Sequence, residues 1–172
     1  METLFTPWRY AYITERPRTS GCFLCDAAAA PEDPERLVLH LTPHHLVILN
    51  RHPYSNGHLM VAPREHVAAP LLASPESRVE LWSVVLLAQR VLDEAYEAPG
   101  MNLGMNLGTA AGAGVPDHFH FHVLPRWQGD TNFMTAIGGT RLVPESLEQT
   151  RQRLRPIFAR LSGGGESPAV AP

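Results

Sequence analysis

Asp117-His118-Phe119-His120-Phe121-His122-Val123-Leu124-Pro125-Arg126 is the stretch on which the fold reading turns. Three histidines alternate with apolar residues, the period-two pattern of a half-buried β-strand. The pattern predicts one strand with all three imidazoles on one face and Phe119, Phe121 and Val123 entering a core. Same-face neighbours on a strand stand roughly 6.6 Å apart, so two imidazoles can act on one phosphate, or one can reach a metal. Histidine is not a favoured strand residue, and propensity alone does not account for three in five positions. A side chain that changes charge near neutral pH, repeated in this way, points to catalysis.

Immediately upstream lies a small-residue loop, Thr109-Ala-Ala-Gly-Ala-Gly114. Before it, Met101, Leu103, Met105 and Leu107 alternate with Asn102, Gly104 and Asn106, which predicts another strand. A hairpin between the two strands would set Asn102, Asn106 and the loop beside His120. Backbone N–H groups of such a loop can cradle an anion without cationic side chains, although a Gly/Ala loop can also be a plain connector.

Farther upstream, Ser74 is a good N-cap, Pro75 suits the first helical position and Glu76 favours the positive end of the dipole. Leu81, Val84, Val85, Ala88, Val91, Leu92 and Ala95 follow at helical spacing, predicting a long helix that ends at Pro99-Gly100. Leu37–Leu41 and His45–Leu49, separated by Thr42-Pro43-His44, read as an antiparallel hairpin, and His58–Pro63 as a third strand. Ala27 to Pro34 reads as a loop or short helical turn. Downstream, Pro144 to Leu161 reads as a C-terminal helix bent at Pro156, after a polar loop over Arg126–Met134. The fold class is therefore α+β: about five antiparallel strands, one long helix across a face and a C-terminal helix.

The chain has 172 residues, 44% of them hydrophobic, which suits one domain over residues 1–161, with a disordered small-residue tail over 162–172. A net charge of −3 supplies no general basic surface for nucleic acid. No apolar run approaches the roughly 20 residues that cross a membrane. The N-terminus, with Leu4, Phe5, Trp8, Tyr10, Tyr12 and Ile13, lacks the pattern of a signal peptide and is rich enough in aromatics to pack on the body or a dimer interface. A cytoplasmic location is the default.

The two cysteines, Cys22 and Cys25, form a Cys-x-x-Cys pair, which is either a redox pair or half of a metal site. A redox pair of the thioredoxin kind would follow a strand and open a helix. This one follows the loop Pro17–Gly21, so the metal reading leads. Zinc takes four N/S ligands, so two histidines distant in sequence are missing.

The run His118-Phe-His120-Phe-His122-Val-Leu-Pro-Arg resembles the signature of the histidine-triad (HIT) nucleotide hydrolases and transferases, and the similarity covers most of residues 4 to 160. Tyr54-Ser-Asn-Gly-His-Leu-Met, Asn-Leu-Gly-Met-Asn-Leu-Gly before the triad and Trp127–Met134 after it resemble the bacterial diadenosine tetraphosphate phosphorylases of that family. The resemblance implies an HIT-like fold, a homodimer and cleavage of a phosphoanhydride at an α-phosphate through a nucleotidyl-histidine. His120 takes the nucleophile's position, His122 contacts the phosphate and leaving oxygen, and His58 orients the site. Asn50 matches the position that holds the ribose hydroxyls, although asparagine there can equally make a turn. Asn106, Gly112, Gly114 and Val115 fall at the nucleotide-binding loop. The family's common Gly-Gln-[Ser/Thr/Val] is replaced by Ala113-Gly114-Val115, so the backbone is left to supply the phosphate contacts. Family members with Cys-x-x-Cys hold zinc with two further histidines, which here are His66 and His118. Zinc bound by Cys22, Cys25, His66 and His118 would then be structural. Whether water or phosphate accepts the nucleotidyl group stays open, with Asn132 and Arg126 as candidate phosphate contacts. A phosphoramidate hydrolase, a nucleotide-binding module with little turnover and a purely structural zinc domain are the alternatives.

Overall fold

A computed structural model describes residues 21–130 and 145–163. The expectations for the N-terminal aromatic segment, for residues 131–144 and for the tail beyond 163 lie outside the described residues. In chain order the elements are α1 (Phe23–Ala29), β1 (Val38–Leu41), β2 (His45–Leu49), β3 (Leu59–Pro63), α2 (Pro75–Tyr96), β4 (Gly100–Met105), β5 (Phe121–Arg126) and α3 (Leu147–Gly163). The five strands form one antiparallel sheet in the order β1-β2-β3-β5-β4, the α+β architecture expected. Among the described residues no helix is long and apolar enough to cross a membrane.

Strand alternation sorts the sheet into two faces. Val47, Leu49, Leu59, Val61, Phe121 and Val123 pack with Val84, Val85, Ala88 and Leu92 of α2 and Leu154 and Phe158 of α3. Leu46, Ile48, Met60 and Ala62 point the other way and are covered by Leu24 and Ala27 of α1. Met60 is paired with His122 and Gly104 with His122, so the triad's imidazole face is the face that carries α1, opposite the two long helices. Full burial of a Val or Leu side chain stabilises by ~1.5–3 kcal/mol, so the α2–sheet contact is the main source of rigidity behind the site.

The long helix forms as its sequence predicts. Ser74 caps it, its hydroxyl accepting the N–H of Ser77, and the residue after Tyr96, Glu97, takes the left-handed conformation that stops it. α3 begins at Leu147 rather than Pro144, because Ser146 and Gln149 cap each other's backbone N–H reciprocally. It runs to Gly163 and keeps Pro156 inside it, at the loss of one i→i−4 hydrogen bond.

Two expectations are corrected. The Cys-x-x-Cys pair does open a helix: Cys22 is the N-cap of α1 and Cys25 lies in its first turn. The run of alanines after Asp26 favours helix, and burying Leu24 and Ala27 fixes it on the sheet. No parallel βαβ unit surrounds it among the described residues, because every strand pairing is antiparallel. The triad strand is also shorter than predicted, since β5 starts at Phe121. Ahead of it, the N–H groups of His118 and Phe119 donate to Val115 and Val67 instead of continuing the ladder with β3. Pro63, which ends β3, has no N–H to donate to a carbonyl of the incoming chain, so the ladder stops there.

Candidate functional site

The three triad histidines split between two clusters. His120 and His122 stay together, ring centroids 4.9 Å apart and edge to face. His58, just before β3, joins them with its ring 5.0 Å from that of His122. His118, fully buried, turns instead toward the cysteines, with Nδ1 3.3 Å from Cys22 Sγ and 3.5 Å from Cys25 Sγ.

Hydrogen-bond partners decide where each imidazole keeps its proton. The main-chain N–H of Tyr54 donates to His58 Nδ1 at 3.1 Å, which leaves the proton of His58 on Nε2. That Nε2–H donates to Nδ1 of His122 at 2.9 Å, so His122 carries its proton on Nε2. His120 Nδ1–H donates to the carbonyl of His118 at 3.2 Å, leaving a lone pair on Nε2. The pair therefore offers one acceptor nitrogen and one donor nitrogen. Burial, reinforced by the neighbouring His120, lowers the pKa of His122 to about 4 and keeps it neutral near pH 7.

The second cluster is metal-sized. Ligand atoms of Cys22, Cys25, His66 and His118 all lie within 4.8 Å of one another. Cys25 Sγ is 3.2 Å from His66 Nδ1. Tetrahedral zinc with Zn–S ≈ 2.3 Å and Zn–N ≈ 2.0–2.1 Å has S···N edges of roughly 3.5 Å, so the donor set fits it. His118 Nε2–H donates to the carbonyl of Pro63 at 2.8 Å, which fixes the tautomer and turns the Nδ1 lone pair to the sulfurs. With thiols alone the arrangement resists ionisation: burial, then the hydrogen bond and charge of Cys22, push Cys25 up to about 11. Desolvation lowers the pKa of His118, keeping it the neutral ligand a metal needs.

The expected nucleotide contacts are placed unevenly. Gly104 pairs with His122 and Asn102 with Leu124, so β4 lies against the triad strand and leads into the glycine loop. In the loop, Gly108 and Gly112 take positive φ (77° and 80°) around a turn at Thr109–Ala111, with Gly112 left-handed. The loop ends at Gly114 and Val115, whose carbonyl accepts the His118 N–H. Asn106, half-buried, follows the last paired residue of β4. Asn102, in contrast, accepts from Arg126, which also grips Asp130 through Nε and Nη2. Both are thus engaged in shaping the turn after β5. Asn50 uses its Oδ1 to accept the N–H of His52 at 2.9 Å, the Asx turn that its sequence context allowed, while its own N–H donates to the His58 carbonyl.

Sequence reasoning missed three participants. The carbonyls of His118 and Pro63 set the tautomers of His120 and His118, and main-chain groups carry no side-chain signal. The third is Tyr54, whose ring lies 4.6 Å from that of His58 and 6.0 Å from that of His122.

A family model described as the HIT domain matches residues 30–129. Among curated proteins, the chain is 36% identical over 167 residues to "AP-4-A phosphorylase" of Mycobacterium tuberculosis, spanning 93% of this chain and 86% of that protein. It is 32% identical over 82 residues to "Bis(5'-nucleosyl)-tetraphosphatase [asymmetrical]" of Schizosaccharomyces pombe, spanning 48% and 44%. Among solved structures, a Zn-bound histidine triad family protein from Mycobacterium smegmatis superposes with a TM-score of 0.65 at 27% identity, covering 83% of this chain and 96% of that one. The match over more than half of the chain, with the triad inside it, leaves one conclusion. The chain belongs to the HIT domain family.

Proposed function

We propose that this chain cleaves dinucleoside polyphosphates of the diadenosine tetraphosphate type at an α-phosphate, with His120 as the nucleophile. The observation that carries the reading is the pairing of tautomers: a lone pair on His120 Nε2 beside an N–H on His122 Nε2. The curated relatives named for such substrates support the same reading.

In the first step the His120 Nε2 lone pair forms a bond to the α-phosphorus. The bond from that phosphorus to the bridging oxygen breaks, and its electron pair leaves with the nucleoside polyphosphate. The Nδ1–H on the His118 carbonyl stabilises the charge that the ring acquires. The Nε2–H of His122 donates to the departing oxygen, held in that tautomer by His58. Main-chain N–H groups of Gly114 and Val115, with Asn106, hold the phosphate oxygens, while Gly112, its N–H on the Thr109 carbonyl, shapes the loop, and Asn50 Nδ2 meets the ribose. In the second step an acceptor oxygen attacks the nucleotidyl group and frees His120. The M. tuberculosis relative's name favours inorganic phosphate as that acceptor.

Zinc on Cys22, Cys25, His66 and His118 plays a structural part in this reading. Bound there it supplies a cross-link between α1, the segment after β3 and the residue preceding the catalytic pair. The protein works as a homodimer, since Val79, Trp82 and Leu86 form an exposed apolar stripe on α2 and Leu103 and Leu107 an exposed pair at the edge strand β4. A cytoplasmic setting agrees with two free thiols aimed at one ligand point.

The test is to incubate the protein with diadenosine tetraphosphate, with and without phosphate, and identify the products. ATP plus ADP only with phosphate supports phosphorolysis, and AMP plus ATP without it supports hydrolysis. No cleavage in either case sinks the reading in favour of a phosphoramidate-type substrate or a binding module.

A further inference from the structure

His120, His122, His58 and Tyr54 form a continuous series of rings, with successive centroids 4.9, 5.0 and 4.6 Å apart. Tyr54 stands at the end farthest along the series from the nucleophile and returns to within 6.0 Å of His122. It differs from the other three in exposure: His120 and His58 are 6% and 1% exposed, whereas Tyr54 is 49% exposed. A large aromatic ring half in water, packed on two imidazoles of a reaction centre, is not needed for the core. Its main-chain N–H already does the structural task of fixing the His58 tautomer, and any residue but proline would supply that.

The chemistry of the proposed reaction gives the ring a place. In an in-line displacement the leaving group departs on the side of phosphorus away from the nucleophile. The donor for that leaving oxygen is His122, and Tyr54 is the exposed aromatic surface next beyond it. We infer that Tyr54 is a specificity-determining residue for the leaving half of the substrate, presenting its ring to the base of the departing nucleoside polyphosphate. This rests on the dinucleoside polyphosphate reading above. Stacking of a base on an aromatic ring is tolerant of base identity, so the residue would select for a second nucleotide rather than for adenine.

The test compares two substrates that share the transferred nucleotide and differ in what leaves: diadenosine tetraphosphate and adenosine 5′-phosphoramidate, which has no second base. In Tyr54→Ala the ratio of their kcat/KM values should fall by roughly tenfold, through KM for diadenosine tetraphosphate, as expected for the loss of one base–aromatic contact. Tyr54→Phe, which keeps the ring, should restore the ratio. Tyr54→Leu is a second ringless variant should the alanine protein fail to fold. A ratio within twofold of wild type, or a parallel loss on both substrates, would overturn the inference, the latter reducing Tyr54 to a prop for His58. Wild-type protein that does not cleave diadenosine tetraphosphate at all would instead remove the reading beneath it. The two failures are therefore distinguishable.

Discussion

His118 is held at both ring nitrogens: Nε2–H donates to the Pro63 carbonyl at 2.8 Å while Nδ1 faces Cys22 and Cys25 at 3.3 and 3.5 Å. Its buried ring thus ties α1 to the end of β3, two residues ahead of His120. A structural metal in this family of arrangements contributes folding energy directly. Cys22→Ser should therefore lower the unfolding midpoint by several degrees and abolish stoichiometric zinc, while turnover per folded molecule changes far less. Elemental analysis with a thermal melt checks both parts. Protein prepared without chelator that still holds no metal would refute the zinc assignment.

His120→Ala removes the proposed nucleophile while leaving the glycine loop and Asn50 in place. Turnover should drop by several powers of ten, since loss of a covalent nucleophile typically costs that much. Nucleotide binding, followed by calorimetry, should change by less than about tenfold because uniform binding comes from the other groups. Acid quench of wild-type protein with radiolabelled substrate should trap label on the protein, and His120→Ala should trap none. Label surviving in the variant would move the nucleophile elsewhere.

The pH dependence follows from His122. Its folded pKa, about 4, lies below the ordinary 6.5 because burial disfavours the charged ring. The unfolded chain takes up this proton first as pH falls, so stability declines as pH drops from about 6.5 through 4. Above pH 6.5 the ring is neutral in both states and adds no slope. His45, fully buried between Glu80 and Ser77, is lowered mainly by desolvation and slopes the same way. Urea midpoints measured from pH 7 to 5 should decline, and His122→Asn should flatten part of that decline. A profile unchanged by the substitution would contradict the assignment.

How much of this could be read beforehand varies with the kind of interaction. The α2 helix and the β1–β2 hairpin follow from residues whose periodicity is local: Ser74, Pro75 and the Val84–Leu92 face, then Leu37 to Leu49. The candidate metal ligands were legible only through likeness to a family, since nothing in the spacing of Cys25 and His66 says that they meet at 3.2 Å. The early start of α1 was missed because its helix-forming alanines follow, rather than precede, the cysteines. The division of the triad into one cysteine-facing imidazole and two that pair with each other depends on where β5 begins. That point is set by Pro63 and Val67 on another segment, which a single-strand pattern cannot encode.

The exposed stripe on α2 gives a prediction about assembly. Val79, Trp82 and Leu86 are 79%, 54% and 43% exposed, and Trp82 meets the triad strand edge to face at Phe121. Burying such a patch against a second copy would bring the edge strand β4 with it, since Leu103 lies on the same sheet face. Sedimentation at micromolar concentration should give a dimer, and Val79→Glu should shift it toward monomer by placing a charge on that apolar stripe. A wild-type monomer under these conditions would refute the pairing.

The turn that delivers His58 depends on Gly57. Its φ is +70°, and a Cβ there would come within 2.6 Å of Tyr96 Cε2 and 3.0 Å of Leu92 Cδ2. Neither neighbour can yield freely. Leu92 is fully buried, and the Tyr96 ring is held by its hydroxyl on Glu145 and by the Arg153 guanidinium over its face. Left-handed backbone costs an L-residue ~1–2 kcal/mol, and overpacking a filled site adds ~1–3 kcal/mol. Gly57→Ala should therefore destabilise by roughly 2–5 kcal/mol in urea titration. The two contributions separate in a double-mutant cycle with Tyr96→Leu, which removes the ring but not the dihedral. In that background the alanine should cost less, namely the backbone share of about 1–2 kcal/mol plus the part of the overpacking that Leu92 imposes. Equal costs in both backgrounds would show that the Tyr96 contact does not constrain the turn, and that the left-handed backbone and Leu92 explain the glycine.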